Sequence, residues 1–146
     1  MKVVLGCDHG GFNLKNAIKE HLITKGIEVF DVGTHDGSSC NYPDIAKKVA
    51  DLVVDKSYDK GILVCGTGIG ISLAANKVRG IRAAVCSDHF SAKYTRLHND
   101  ANILCMGERV IGIGTGLELT DIFLETEFEG GRHQTRVDMI TELENN

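Results

Sequence analysis

A chain of 146 residues is the size of one ordinary domain, and a 42% apolar content suffices for a single buried core. The formal net charge of −4 offers no basic face for nucleic acid, and no apolar run approaches the ~20 residues that cross a bilayer. Five cysteines, an odd number with no Cys-x-x-Cys pair, argue against a disulfide framework or a zinc ribbon.

The opening residues Met1-Lys2-Val3-Val4-Leu5-Gly6 read straight into a first strand over 3–6. They lack the small-residue cleavage site of a secretory signal, so a cytoplasmic location is expected. Leu14, Ile18 and Leu22 then fall on one helical stripe, with Gly26 where a left-handed cap belongs. A second strand is expected over 27–32. Pro43 suits the first turn of the next helix, whose stripe is Ile45, Val49, Leu52 and Val53. A third strand over 61–64 leads into a helix that starts within 68–72 and runs through Leu73-Ala74-Ala75. Strands over 83–86 and 103–106 flank a helix over 91–97, and a broad apolar helix follows over 112–124. A last helix from about Arg136 to Leu143 turns Val137, Ile140 and Leu143 toward something apolar. The strands are continuous apolar runs, which suit a parallel sheet covered on both faces. The expected fold is therefore one α/β domain over 1–146, a Rossmann-like three-layer sandwich on a five-stranded parallel sheet.

Ligands of such sheets sit outside the carboxyl ends of the strands. Gly6-Cys7-Asp8-His9-Gly10-Gly11 follows the first strand, Cys65-Gly66-Thr67-Gly68-Ile69-Gly70 the third, and Gly107-Glu108-Arg109 the fifth. Alternate glycines entering a helix free backbone N–H groups for an anion, although a tight turn alone would account for them. The G-x-G-x-G spacing fits neither a dinucleotide fingerprint nor a Walker loop. Cys65, just ahead of that loop, reads as a base or nucleophile, because amide dipoles favour negative charge there; the alternative is a small buried hydrophobe. Arg132 and Arg136 stand at i and i+4 and either clamp a phosphate or form a solvated basic patch. His98 is an acid–base candidate or a helix cap.

These motifs, together with Asp31-Val32-Gly33-Thr34, Tyr42-Pro43-Asp44, Ala75-Asn76-Lys77, Arg96-Leu97-His98-Asn99-Asp100-Ala101-Asn102 and Glu129-Gly130-Gly131-Arg132-His133-Gln134, closely resemble the type B ribose-5-phosphate isomerases, whose family includes the galactose-6-phosphate isomerase subunits. The resemblance spans nearly the whole chain. It implies a cofactor-free, metal-free aldose–ketose isomerase of pentose phosphate metabolism that works through a cis-enediolate. It also implies that His98 opens the furanose ring with Thr67 as helper, and that Cys65 shuttles the proton between C2 and C1. Backbone groups of Gly66, Gly68, Ile69 and Gly70 would hold the enediolate oxygen. Asp8 would contact substrate hydroxyls, Tyr42 would line the pocket, and Asn99 would add an amide contact. His9, Arg109, Arg132 and Arg136 would bind phosphate. Some members carry a glutamate base; Ile71 holds that position here, which puts this chain with the cysteine subgroup.

Topology adds an expectation about assembly. His98 ends a crossover helix and so lies at the opposite sheet edge from Cys65, unless that helix is unusually placed. A homodimer or dimer of dimers with shared sites follows, its C-terminal helix packing on the partner. Two other functions fit parts of this pattern. Galactose or allose 6-phosphate is a possible substrate, since a slightly roomier pocket changes discrimination by only ~1–3 kcal/mol. A sugar-phosphate-binding module without turnover would need the arginines and the glycine loop but not Cys65 or His98.

Overall fold

The computed structural model describes residues 1–146. Strand β1 (Lys2–Cys7) passes through a 3-10 turn (His9–Gly11) into α1 (Phe12–Thr24), and β2 (Glu28–Asp31) leads to α2 (Tyr42–Val54). Strand β3 (Lys60–Cys65), α3 (Ile69–Ala75), β4 (Ala83–Val85) and α4 (His89–Asn99) follow. The chain closes with β5 (Ile103–Gly107), α5 (Ile113–Glu125) and α6 (Arg132–Leu143).

All five strands are parallel, in the order β2-β1-β3-β5-β4, with Leu5 opposite Ile62 and Ile62 opposite Leu104. Alternate side chains leave opposite faces of the sheet. Val3, Leu5, Ile62, Val64, Leu104 and Met106 pack on α1 and α5 through Leu14, Ile18, Leu22, Leu119 and Phe123. On the other face, Val4, Leu63, Ile103 and Cys105 pack on α2 and α3 through Ile45, Val49, Val53, Ile71 and Ala75. This is the three-layer α/β/α sandwich expected from the sequence.

Double coverage explains why β1, β3 and β5 are continuously buried, while the edge strands β2 and β4 stay partly open. Two helices differ from expectation. Helix α4 extends to His89–Asn99 because the Asp88 carboxylate accepts the Ser91 N–H at 2.7 Å and caps it. Helix α6 begins at Arg132 rather than near Arg136. Gly130 and Gly131 turn the chain with φ of 69° and 56°, and their carbonyls accept the N–H groups of His133 and Gln134. Only His133 and Val137 of α6 are buried; Ile140 and Leu143 face outward.

One buried polar contact was not expected. Lys15 of α1, 1% exposed, places Nζ 2.7 Å from the Asp31 carboxylate and 2.9 Å from the Thr34 carbonyl. It ties α1 to the end of β2 and to the loop that follows it.

Candidate functional site

The chain leaves β1 toward β2 on one side and returns to β3 on the other, so the topological switch point lies between β1 and β3. A crevice opens where such a sheet divides, and the two strongest motifs follow these two strands.

Cys65 is the last residue of β3 and is 5% exposed. The Gly68 N–H donates to Cys65 Sγ at 3.0 Å, so the sulfur sits where a negative charge would meet an amide dipole. The loop can turn so tightly because Gly68 has φ of +79° and a methyl group there would lie 2.8 Å from the Met106 backbone. Thr67 Oγ1 accepts the Ile69 N–H at 3.2 Å, and the N–H groups of Gly66, Thr67 and Gly70 have no acceptor within the chain. Three free donors around one sulfur can hold an oxyanion.

Neighbouring elements complete this cluster. Asp8, at the end of β1, accepts the Gly10 N–H at 2.8 Å and is 8% exposed. His9 Nδ1 accepts the Cys40 N–H at 3.4 Å, which leaves Nε2 free to donate. Tyr42 opens α2 with its ring against Gly70, where a methyl group would come within 2.8 Å. Arg109, after β5, lays its guanidinium beside Gly66, and its N–H donates to the Gly66 carbonyl at 3.1 Å.

His98, Asn99, Arg132 and Arg136 form a second, separate cluster. They line a cleft of about 330 Å³ with His133, Val137 and Ile140. Helix α4 runs back along the sheet, and the Asn99 carbonyl accepts Arg82 Nε at 3.0 Å just ahead of β4. The cluster therefore lies at the amino edge and Cys65 at the carboxyl edge. The five residues of β5 separate them by roughly 16 Å, at about 3.3 Å per residue. None of the surface clefts of the single chain is lined by Cys65. The four residues expected to bind one phosphate are split, with His9 and Arg109 in the first cluster and Arg132 and Arg136 in the second.

His133 was not singled out in the sequence. It is 7% exposed and stacks on His98 with ring centroids 3.9 Å apart and planes 11° from parallel. Its position four residues before Val137 puts it on the same inward stripe, a signal the sequence carries. Glu129 Oε2 lies 3.7 Å from His98 Nε2, and the ligand atoms of His98, Glu129 and His133 lie within 4.8 Å of one another. Metal ligation uses lone pairs in the ring plane, and two nearly parallel planes do not converge on one ion. Arg132 and Arg136 beside them also repel a cation, so the trio suits proton exchange better than metal binding.

The remaining thiols are chemically quiet. Burial pushes the Cys7 thiol up to about 12 and the Cys86 thiol up to about 11, and it drives Cys105 well above the ordinary range. All three stay protonated at neutral pH, where the thiolate is the reactive form. Iodoacetamide applied to the native protein at pH 7.5 should leave Cys7, Cys86 and Cys105 unmodified, as peptide mass mapping will report.

Residues 3–140 match the family model described as Ribose/Galactose Isomerase. The chain is 50% identical over 143 residues to ribose-5-phosphate isomerase B of Escherichia coli (strain K12), covering 98% of this chain and 96% of that one. Its structure is similar to that of Clostridium thermocellum ribose-5-phosphate isomerase B, with 54% identity, a TM-score of 0.98, and coverage of 99% and 98%. It is also similar to the Mycoplasma genitalium ribose-5-phosphate isomerase B solved with bound ribulose 5-phosphate, at 42% identity and a TM-score of 0.95, covering 99% and 96%.

Proposed function

The chain belongs to the ribose/galactose isomerase family, and on that footing we propose that it interconverts ribose 5-phosphate and ribulose 5-phosphate without a cofactor, at sites completed by two copies of the chain. The observation that carries this reading is the split itself. Thiol, glycine loop and two phosphate ligands lie at one sheet edge; histidine, amide and two arginines lie at the other. Each cluster is half of an isomerase site. A place in pentose phosphate metabolism follows from the substrate, and a reducing cytoplasm suits five unpaired cysteines.

The chemistry assigns a task to each half. His98 gives a proton to the ring oxygen while the anomeric hydroxyl passes its own to solvent, with Thr67 assisting across the interface, and the furanose opens to the aldehyde. The Cys65 thiolate takes the hydrogen on C2, and the electron pair moves through C1 to leave a cis-enediolate. The charge on O1 meets the free N–H groups of Gly66, Thr67 and Gly70. The hydroxyl proton of O2 passes to O1, the Cys65 thiol returns its proton to C1, and the ketone remains at C2. Arg132 and Arg136 of one chain and His9 and Arg109 of the other hold the phosphate between them.

The outward face of α6 supports the shared site. Met139, Ile140 and Leu143 are exposed, and Ile140 and Leu143 border an apolar cleft of about 410 Å³ that a partner would cover. Subunit exchange tests the sharing. Equal amounts of Cys65→Ala and His98→Ala, each inactive alone, should together recover about a quarter of wild-type activity, because half the dimers are mixed and each carries one intact site. No recovery after verified exchange would mean that Cys65 and His98 act within one chain and would overturn the sharing. Isomerisation of ribose 5-phosphate in EDTA tests the reading as a whole. Loss of activity on chelation, or activity confined to hexose 6-phosphates, overturns it.

A further inference from the structure

Resting on the reading of His98 as the ring-opening group, we propose that His133 is the positioning residue for that step: its stacked, nearly dry ring fixes the plane and direction of the His98 imidazole.

His98 sits at the last turn of α4, with its side chain about a third exposed, and no hydrogen bond to the protein orients it. The Glu129 carboxylate stands 3.7 Å from its Nε2, too long a contact to hold a ring. Two aromatic contacts hold it instead. The Tyr94 ring meets it edge-on at 4.9 Å, one turn back along α4, and the His133 ring covers it face to face at 3.9 Å. Of the two, His133 is the more firmly anchored. Its N–H donates to the Gly130 carbonyl at 3.1 Å, it is 7% exposed, and it shares the buried stripe of α6 with Val137. The loop ahead of α6 is in turn tied to α4, since the Glu129 N–H donates to the Leu97 carbonyl at 3.1 Å. The ring that covers His98 and the backbone that carries it thus form one unit.

The charge state of His133 agrees with this role. Burial, then the His98 ring and the Arg132 guanidinium, hold its imidazole below the ordinary histidine value, against a smaller opposing pull from Glu129. A neutral ring can remain stacked on His98 whether or not His98 carries the proton. A charged one would be repelled at each turnover.

The substrate pair separates ring opening from enolisation. Ribose 5-phosphate is largely a furanose, whereas ribulose 5-phosphate cannot close on its phosphorylated O5 and is open-chain. Exchange of its C1 hydrogen into deuterated water therefore needs Cys65 but no ring opening. His133→Ala should lower kcat/KM on ribose 5-phosphate by about tenfold to a hundredfold, the scale of a misaligned catalytic group, and leave C1 exchange from ribulose 5-phosphate within about twofold of wild type. His133→Phe restores a flat ring without a titratable nitrogen and should recover most of the ribose 5-phosphate activity. Should the alanine variant fail to fold, the phenylalanine variant decides alone: an unchanged kcat/KM supports positioning by stacking, and a loss as large as that of His98→Ala overturns it. Equal loss of both reactions in His133→Ala would also overturn it, by making the residue a general structural support. If His98→Ala itself spares ribose 5-phosphate turnover, the underlying assignment of His98 fails instead.

Discussion

Cys65→Ala should reduce kcat for ribose 5-phosphate by about three orders of magnitude while leaving KM within a few-fold, the middle of the range for losing a positioned proton-transfer group. Cys65 Sγ, held within the glycine loop, is the group proposed to carry a proton between the adjacent carbons. The Gly68 N–H points at it from 3.0 Å, the donor geometry that a negatively charged sulfur would use. Binding should survive because Asp8 and the residues proposed to hold phosphate occupy other elements. Exchange of the C1 hydrogen of ribulose 5-phosphate should vanish in the same variant and persist in His98→Ala. A Cys65→Ala protein with near wild-type kcat would show that the base lies elsewhere. Cys105 would not be the substitute, because complete burial keeps its thiol protonated.

The largest expected loss of stability comes from Lys15→Met, about 3–5 kcal/mol at pH 7 by chemical denaturation at fixed protein concentration. The Lys15 ammonium and the Asp31 carboxylate are 1% and 5% exposed and 2.7 Å apart. Burial alone would raise the Asp31 carboxyl; the Lys15 ammonium and the Gly33 N–H outweigh it and hold the group below the ordinary range. A carboxyl lowered by folding contributes stability that is present above its unfolded value and disappears as pH falls through the folded one. Without Lys15 only the part-exposed Lys19 ammonium at 3.5 Å and the Gly33 N–H oppose burial, and the sign is expected to reverse. A buried, poorly paired carboxylate titrates higher in the folded chain, so the deficit of Lys15→Met should shrink between pH 7 and pH 4.5. The double variant Lys15→Met/Asp31→Asn, which removes both charges and keeps an acceptor for the Gly33 N–H, should regain most of the loss. A pH-independent deficit, or no regain in the double variant, would trace the effect to packing of the lysine stem.

Fold class was legible because three of the five strands, β1, β3 and β5, are apolar on both faces and alternate with helical stripes, a combination that suits a covered parallel sheet. The Cys65 half was legible for a related reason: a motif directly after a strand has its position set by the sheet. The other half depends on longer-range facts. Where Arg132 sits follows from two glycines with positive φ, which start α6 a full turn early. That turn also moves His133 onto the inward stripe and under His98, a contact between α6 and α4 that no local pattern announces. Lys15 escaped notice because a lysine beside an apolar stripe reads as a solvated edge. Its burial depends on Asp31, sixteen residues away on β2.

The placement of the two clusters at opposite edges of one sheet bears on how such a gene can diverge. On the proposed sharing of sites between copies, a duplicated pair that still associates would need only one glycine loop and one histidine–arginine helix to keep a working site. Each copy is then free to discard the half that the other supplies. Selection on the discarded surface relaxes, and the surviving half can drift toward a new sugar without the constraint of matching itself. A homo-oligomer with sites shared in that way would be one duplication away from a heteromer with a division of labour, and the paralogues would become inseparable as soon as each had lost a different half.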